Sequence, residues 1–309
     1  MPTPTTTRVP DVSVVIPSWN AARTIGRCLD ALLAQETTLD YEVLVVDSGE
    51  DDTAALVAAY APRVQLIRSA SRLFPGPARN LGIRQARAPL LAFTDTDCAP
   101  DPGWLEALYR ASRASQASRA STDPTSGGQA HQAVGGRILN GTPESLCGTA
   151  LYLTEFVEFA GTDVRRYPSI PSCNLAWPRD LLAQHGGFPD VFWGEEYLLN
   201  TRLSAQILFV PDMVVRHMNR TGFRETVRHA RKVGRGAALS RRLTGQHGVL
   251  FRWPVVIPLL FGFRLLKIGQ KSAAAGLFGT FLWASPMVLL DLAAWTVGFW
   301  RGARETARD

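Results

Sequence analysis

The sequence predicts an α/β protein, a mostly parallel sheet flanked by helices and followed by apolar helices. Three observations carry that expectation. Short β-branched runs alternate with helix-like stretches over the first hundred residues. Their spacing is that of strand–helix–strand units, which build parallel sheets with right-handed crossovers. Beyond about residue 250, long apolar stretches take over from the mixed pattern.

In chain order, residues 12–16 read as a buried strand that stops at Pro17. Residues 20–34 follow as an amphipathic helix with Ile25, Cys28, Leu29, Leu32 and Leu33 on one side. Residues 42–46 form a second strand ending at Asp47, and 53–60 a second helix; 64–67, 78–86 and 90–93 repeat the alternation as strand, helix and strand. Ligands of such sheets sit beyond the carboxyl ends of the strands. Pro17, Asp47 and Asp95 all fall there. Residues 110–133 turn to low complexity and read as a flexible surface insertion without chemistry; order resumes near Val134.

Composition narrows the function classes. With 309 residues, 46% hydrophobic and 19% charged, a wholly disordered chain is excluded, and Gly 26 with Pro 20 at no fixed period excludes a fibrous repeat. Cys28, Cys98, Cys147 and Cys173 are widely spaced with no Cys-x-x-Cys pair, against a disulfide scaffold or zinc cluster and for a reducing compartment. Residues 1–10 are polar, Thr/Pro-rich and read as disordered, without the apolar stretch of a secretory signal. Between Arg216 and Arg252, nine arginines and one lysine face a single acid, Glu225, so the remaining chain is mildly acidic. A basic segment on an acidic body points to a local anionic partner, a membrane headgroup or a phosphorylated substrate, and not to a nucleic-acid binder, for which the interleaved aromatics are missing.

Thr94-Asp-Thr-Asp97 follows the fourth strand directly. Two carboxylates at i and i+2 on such a turn can converge on one hard divalent cation, Mg²⁺ or Mn²⁺, which also binds phosphates. An isolated Asp-x-Asp is commonplace; its place after a buried strand singles this one out.

Val14-Val-Ile-Pro-Ser-Trp-Asn20, Val45-Val-Asp-Ser48, Ala78-Arg-Asn-Leu-Gly82 and Phe93-Thr-Asp-Thr-Asp97, in this order and spacing, resemble the nucleotide-binding half of a family 2 glycosyltransferase. Cys173-Asn-Leu-Ala176, Gly186-Gly-Phe188 and Gly194-Glu-Glu-Tyr-Leu-Leu-Asn-Thr-Arg202 resemble its acceptor half. The resemblance implies a GT-A type, Rossmann-like fold and inverting transfer, of hexosyltransferase type, from a nucleotide-diphospho-sugar to an acceptor hydroxyl. Together with the charge and apolar patterns, it divides the chain into a nucleotide-sugar-binding half (11–109), the insertion (110–133), an acceptor half (134–221), a basic helical segment (222–252) and a membrane-associated apolar tail (253–309).

The implied roles fall residue by residue. Asp47 accepts hydrogen bonds from base or ribose, with Pro17 and Asn20 shaping the same wall; as an alternative, Asp47 caps the following helix. Arg79 and Asn80 bind nucleotide or phosphate, Asp95 reaches ribose or metal, and Asp97 ligates the metal. His217 matches the histidine that completes the metal site; on its own, a lone histidine after a strand reads equally as structural. In the family, the base closes a Glu-Asp pair. Glu196 holds that position with a longer side chain, Leu198 replaces a second Asp, and Glu195 is the other candidate. Adjacent carboxylates repel, which raises one pKa toward a value useful for proton transfer. Trp193, Asn174, Arg202, Arg228 and Arg231 are candidate contacts to acceptor or phosphate.

Arg224, Arg228, Arg231 and Arg235 recur at helical spacing as one cationic stripe, open to three readings: a solvated face, phosphate contact or attraction to anionic lipid. Residues 273–290 carry no charge and approach the length of a membrane span, but Pro286 and Asp291 argue against a simple straight one. Basic residues flank both ends, so a re-entrant or interfacial helix pair keeps both ends cytoplasmic, with Trp253, Trp283, Trp295 and Trp300 at headgroup depth. The expectation is a membrane-associated enzyme of cell-envelope glycan or glycolipid synthesis, its catalytic part cytoplasmic, with a saccharide or lipid-linked acceptor. The alternatives are a nucleotidyltransferase, whose Gly-rich loop Pro17-Ser-Trp-Asn20 does not supply, and a catalytically silent carbohydrate-binding or scaffold protein.

Overall fold

Four apolar runs form the parallel strands β1 (Val12–Ser18), β2 (Tyr41–Asp47), β3 (Val64–Arg68) and β4 (Leu90–Phe93); β1, β4 and most of β2 are buried, whereas β3, at the sheet edge, leaves Gln65 and Arg68 exposed. The structure is a computed structural model that describes residues 8–121, 133–203, 206–245 and 257–305. Helices α1 (Ile25–Leu33), α2 (Thr53–Ala58) and α3 (Pro75–Gln85) make the crossovers. α1 begins later than the apolar periodicity indicates. Asn20 takes a left-handed φ of 52°, and the following turn is pinned by Ala21 N–H donating to Thr53 Oγ1 at 2.8 Å. α3 begins earlier, because Pro75 supplies the fixed φ that suits a first helical residue.

The second half completes one nine-stranded sheet in the order β3-β2-β1-β4-β8-β6-β9-β5, with β7 pairing on β9. Its strands are β5 (Cys98–Pro100), β6 (Ala133–Asn140), β7 (Arg165–Tyr167), β8 (Leu175–Pro178) and β9 (Ile207–His217), with helices α4 (Trp104–Ser121), α5 (Leu146–Glu155), α6 (Arg179–Gln184) and α7 (Glu195–Arg202). β5, β7 and β8 run against the others, so the sheet is mixed, although most strands are parallel. β9 is long for a strand of this sheet. It continues to His217 because a bulge shifts its pairing with β6 between Gly136 and Arg137 and lets the ladder resume. The low-complexity segment begins inside α4; its residues 122–132, the expected loop, lie outside the described residues.

The basic segment forms α8 (Phe223–Leu243), and the tail forms α9 (Ile257–Ala274) and α10 (Phe278–Arg304). α8 and α10 lie backbone to backbone. A Cβ on Gly234 would stand 2.0 Å from the Trp295 carbonyl, and one on Gly298 2.1 Å from the Arg231 carbonyl. Ile268, Ala284, Met287, Val288 and Leu292 join the same core as the sheet. α10 passes Pro286 without breaking: the missing N–H leaves the Leu282 carbonyl open, and the Ser285 hydroxyl donates to it at 2.8 Å. Asp291 turns inward and is buried. Trp295 is buried too, against the expectation of headgroup depth, because the glycine seam draws its side of α10 onto α8; Trp283 and Trp300 are exposed. Trp253 lies outside the described residues.

Candidate active site

The carboxyl ends of β1 and β4, the loop before α7, and helices α8, α9 and α10 enclose a cleft of about 1030 Å³. Pro17, Arg79, Asp95, Asp97, Trp193, Glu195, Glu196, His217 and Arg228 line it, bringing together nine of the residues singled out from sequence.

Asp97 and His217 are 120 positions apart, and the antiparallel pairing of β5 with β9 joins them: Cys98 stands opposite His217, and Met218 N–H donates to the Asp97 carbonyl at 2.7 Å. His217 Nε2 lies 3.6 Å from Asp97 Oδ1. Its other ring nitrogen, Nδ1, is 3.0 Å from Asn219 Oδ1. The Asn219 amide is oriented by donating to Asn140 Oδ1 and to the His217 carbonyl, both at 3.1 Å. Its oxygen therefore accepts from Nδ1–H, which turns Nε2 toward Asp97. A carboxylate beside an imidazole held through its second nitrogen is a donor set suited to a divalent cation. The Cys98 sulfur is close by; burial holds its thiol well above the ordinary range, and as a soft ligand it suits Mn²⁺ or Mg²⁺ less than the carboxylate and imidazole do.

Arg79 links this turn to the acidic pair. It is buried, and its two terminal nitrogens donate to Asp95 Oδ1 at 2.7 Å and Glu195 Oε1 at 2.5 Å. Glu195 is thereby neutralised by a partner. Glu196 has no such clamp: burial, reinforced by the Glu195 charge and opposed by Arg79, pushes its carboxyl up to about 8. Burial likewise raises Asp95, against the pull of Arg79. The acidic turn itself is fixed on α8. Gly194 has a left-handed φ of 78°, Ser240 Oγ donates to the Trp193 carbonyl at 3.2 Å, and a Cβ on Gly236 would meet the Trp193 ring at 2.5 Å.

Six sequence candidates do not reach the cleft. Asp47 is fully buried, its oxygens accepting from Ser18 Oγ at 2.8 Å, from Gly49 N–H at 3.2 Å and from Arg68. Asn20 accepts from Glu50 N–H at 2.8 Å. Asn80 clips the Phe188 backbone, donating to its carbonyl at 2.7 Å and accepting from its N–H at 2.9 Å. Asn174 is buried between Trp104 Nε1 and the Arg137 and Met213 carbonyls. Arg202 donates to the Gly187 carbonyl at 2.6 Å, and Arg231 lies on a different surface beside Gly298.

Sequence reasoning missed other residues of the cleft. Trp19 carries the Arg72 guanidinium 3.9 Å from its ring centre, making a rim platform with Phe74. His229 pairs with Glu155 at 2.9 Å, and Arg241, Arg264 and Lys267 come from the helical side. A charge inside an apolar run was the available signal for Arg264; Arg72 gave none.

Residues 13–132 match the family model described as Glycosyl transferase family 2. Over 107 residues the chain is 39% identical to glycosyltransferase AglE of Haloferax volcanii, covering 33% of this chain and 35% of that one. Over 113 residues it is 40% identical to the succinoglycan biosynthesis protein ExoO of Rhizobium meliloti, covering 36% and 32%. The matches thus span about a third of the length of these relatives. The fold is that of the mannosyltransferase PcManGT from Pyrobaculum calidifontis, solved in complex with GDP-Man and Mn²⁺: TM-score 0.56, 21% identity, covering 95% of this chain and 88% of that one.

Proposed function

We propose that this chain, which carries a family 2 glycosyltransferase domain in residues 13–132, transfers a sugar from a nucleotide-diphospho-sugar to an acceptor hydroxyl with inversion. The observation that carries the reading is the Arg79 clamp. By holding Asp95 and Glu195 together it leaves Glu196, raised to about 8, as the carboxylate able to exchange a proton near neutral pH. Glu196 takes the proton from the acceptor hydroxyl as that oxygen bonds to the anomeric carbon. The bond from that carbon to the diphosphate breaks, its electron pair leaving with the nucleoside diphosphate. A single in-line displacement with no enzyme nucleophile inverts the anomeric centre.

Asp97 and His217 would hold the cation, Mn²⁺ or Mg²⁺, with Asp95 as a further candidate ligand. Bound there, the cation supplies Lewis-acid stabilisation of charge on the departing diphosphate. Trp19 and Arg72 supply a stacking surface for the nucleotide at the rim.

The tail favours membrane association. Leu259, Phe263, Leu266, Leu282, Trp283 and Leu290 are all exposed. α10 is long and apolar enough to cross a membrane, but 44% of its most apolar window is buried against the protein. The reading is a helix pair lying on an anionic membrane, with the catalytic cleft on the cytoplasmic side, acting in envelope glycan or glycolipid synthesis.

The test is a panel of sugar nucleotides screened by thermal shift with and without Mn²⁺, since binding raises stability by mass action. One donor should raise Tm only with the metal and release nucleoside diphosphate slowly, and Asp97→Ala should abolish both. No metal-dependent nucleotide binding by calorimetry would end the proposal.

A further inference from the structure

The cleft has a second side whose chemistry the transfer step leaves unused. Arg241 reaches into it from α8, with its guanidinium 5.5 Å from the Phe299 ring centre. Arg264 enters from α9, 4.0 Å from the Trp295 ring centre. Both are partly buried, and burial lowers the pKa of each; Arg264 is lowered further by the charge on Arg241. Lys232 and Lys267 line the same side nearer solvent.

The neighbouring carboxylates are taken or too far away. Glu155 is paired with His229 at 2.9 Å and Glu158 with Lys271 at 2.5 Å. Asp291 acts on Arg264 only beyond ion-pair distance. Among the described residues, no carboxylate forms an ion pair with Arg241, Arg264, Lys232 or Lys267. The Arg264 Nε is buried with no hydrogen-bond acceptor. Arginines gathered and partly desolvated around a cavity, without an ion-pair partner, are destabilising until an anion occupies it.

Resting on the transferase reading, we propose that this side of the cleft binds a phosphate or diphosphate group carried by the acceptor, gripped by Arg241 and Arg264 with Lys232 and Lys267 at the rim, while the acceptor hydroxyl faces Glu196. The donor's own diphosphate belongs to the opposite side, with Asp97 and His217. A lipid-borne phosphate fits the surroundings. Phe263 lines the cleft beside Lys267, whose Nζ lies 4.7 Å from its ring centre, and is itself 54% exposed, continuous with exposed Leu259 and Leu266 on α9. An amphiphile seated here keeps its charge in the cleft and its chain on the apolar face. A soluble phosphorylated saccharide would use the same cations without that face.

The experiment is calorimetric titration of the full chain, in EDTA so that the metal side is silent, with farnesyl diphosphate, farnesol and inorganic pyrophosphate. Farnesyl diphosphate should bind at least about tenfold more tightly than farnesol, and Arg241→Gln/Arg264→Gln should remove about that factor while leaving farnesol binding as it was. Pyrophosphate binding as tightly as farnesyl diphosphate assigns the group to a soluble acceptor; tighter farnesyl diphosphate assigns it to a lipid. Should the arginine variant fail to fold, Lys232→Gln/Lys267→Gln, at exposed positions, should lose roughly threefold. Equal affinity for the diphosphate and the alcohol, or a preference untouched by the substitutions, overturns the proposal. A parallel titration with sugar nucleotides and Mn²⁺ separates the two readings. Donor binding without a diphosphate preference sinks only this one, and a diphosphate preference without donor binding sinks only the transferase.

Discussion

β1 and α10 are both apolar segments, and the protein uses them in opposite ways. Along β1 every residue but Pro17 is buried, so its apolar surface is consumed by the protein's own core. α10 buries one stripe, from Ala284 through Leu292 to Phe299, and leaves Leu282, Trp283, Leu289, Leu290 and Val297 in solvent. The strand's hydrophobicity explains folding. The helix's surplus is a contiguous exposed patch of the kind that marks an interaction surface. The two regions nevertheless meet at one cleft, which Pro17 of β1 lines together with Trp295 and Phe299 of α10.

Three experiments break or sharpen that contrast. The largest effect belongs to the carboxylate side. Glu196→Gln should lower kcat by roughly 10²–10⁴-fold without weakening donor binding, and the wild-type rate should rise with pH to a plateau above about 8, a limb absent from the variant's residual rate. The sign for stability is the reverse. A carboxyl raised in the fold binds its proton more tightly than in the unfolded chain, so its contribution is present below the unfolded pKa and is lost as pH rises toward about 8. Glu196→Gln should therefore melt higher than wild type at pH 9, by roughly 2–4 °C per kcal/mol recovered, and no higher at pH 4. Weakened donor binding, or a pH limb that persists in the variant, would dismiss Glu196 as the base.

A middle-sized effect lies at the seam. Gly298→Val places carbon where the Arg231 carbonyl sits and should cost roughly 1–3 kcal/mol in chemical denaturation. An unchanged midpoint would mean that α10 is not docked on α8. The smallest effect is at the surface. Trp283→Glu/Leu290→Glu should release the protein from phosphatidylglycerol-containing vesicles, roughly tenfold or more in partitioning, with donor hydrolysis unaltered. Vesicle binding that survives both charges would assign the exposed patch to a partner other than lipid.

How much of this was legible in the sequence depended on the range of the interaction. The strand runs, the Asp95–Asp97 turn and the helices from Phe223 onward follow from local pattern, and the structure has them with shifted ends. Resemblance selected Glu196 over Glu195. The physical reason, Arg79 reaching Glu195 across 116 positions, exists only once α3 and α7 are packed together. Asn80, Asn174 and Arg202 look like ligand-binding residues, because a polar side chain in a loop motif does not announce whether its partner is substrate or backbone. Each is occupied by a main-chain carbonyl or amide supplied by distant packing. Arg228 and Arg231 are near neighbours in the stripe, yet only Arg228 faces the cleft, since the glycine seam sets how α8 is rotated.

The seat of Trp193 on Gly236 has a consequence for selectivity. The same rigid rod that seats the Glu196 loop also carries Arg241 further along, so the gap between the proposed base and the proposed phosphate anchor is set like the jaws of a caliper. Under the proposed transfer, acceptors would be sorted by the length that separates those two groups, and any side chain introduced at position 236 would recalibrate the instrument.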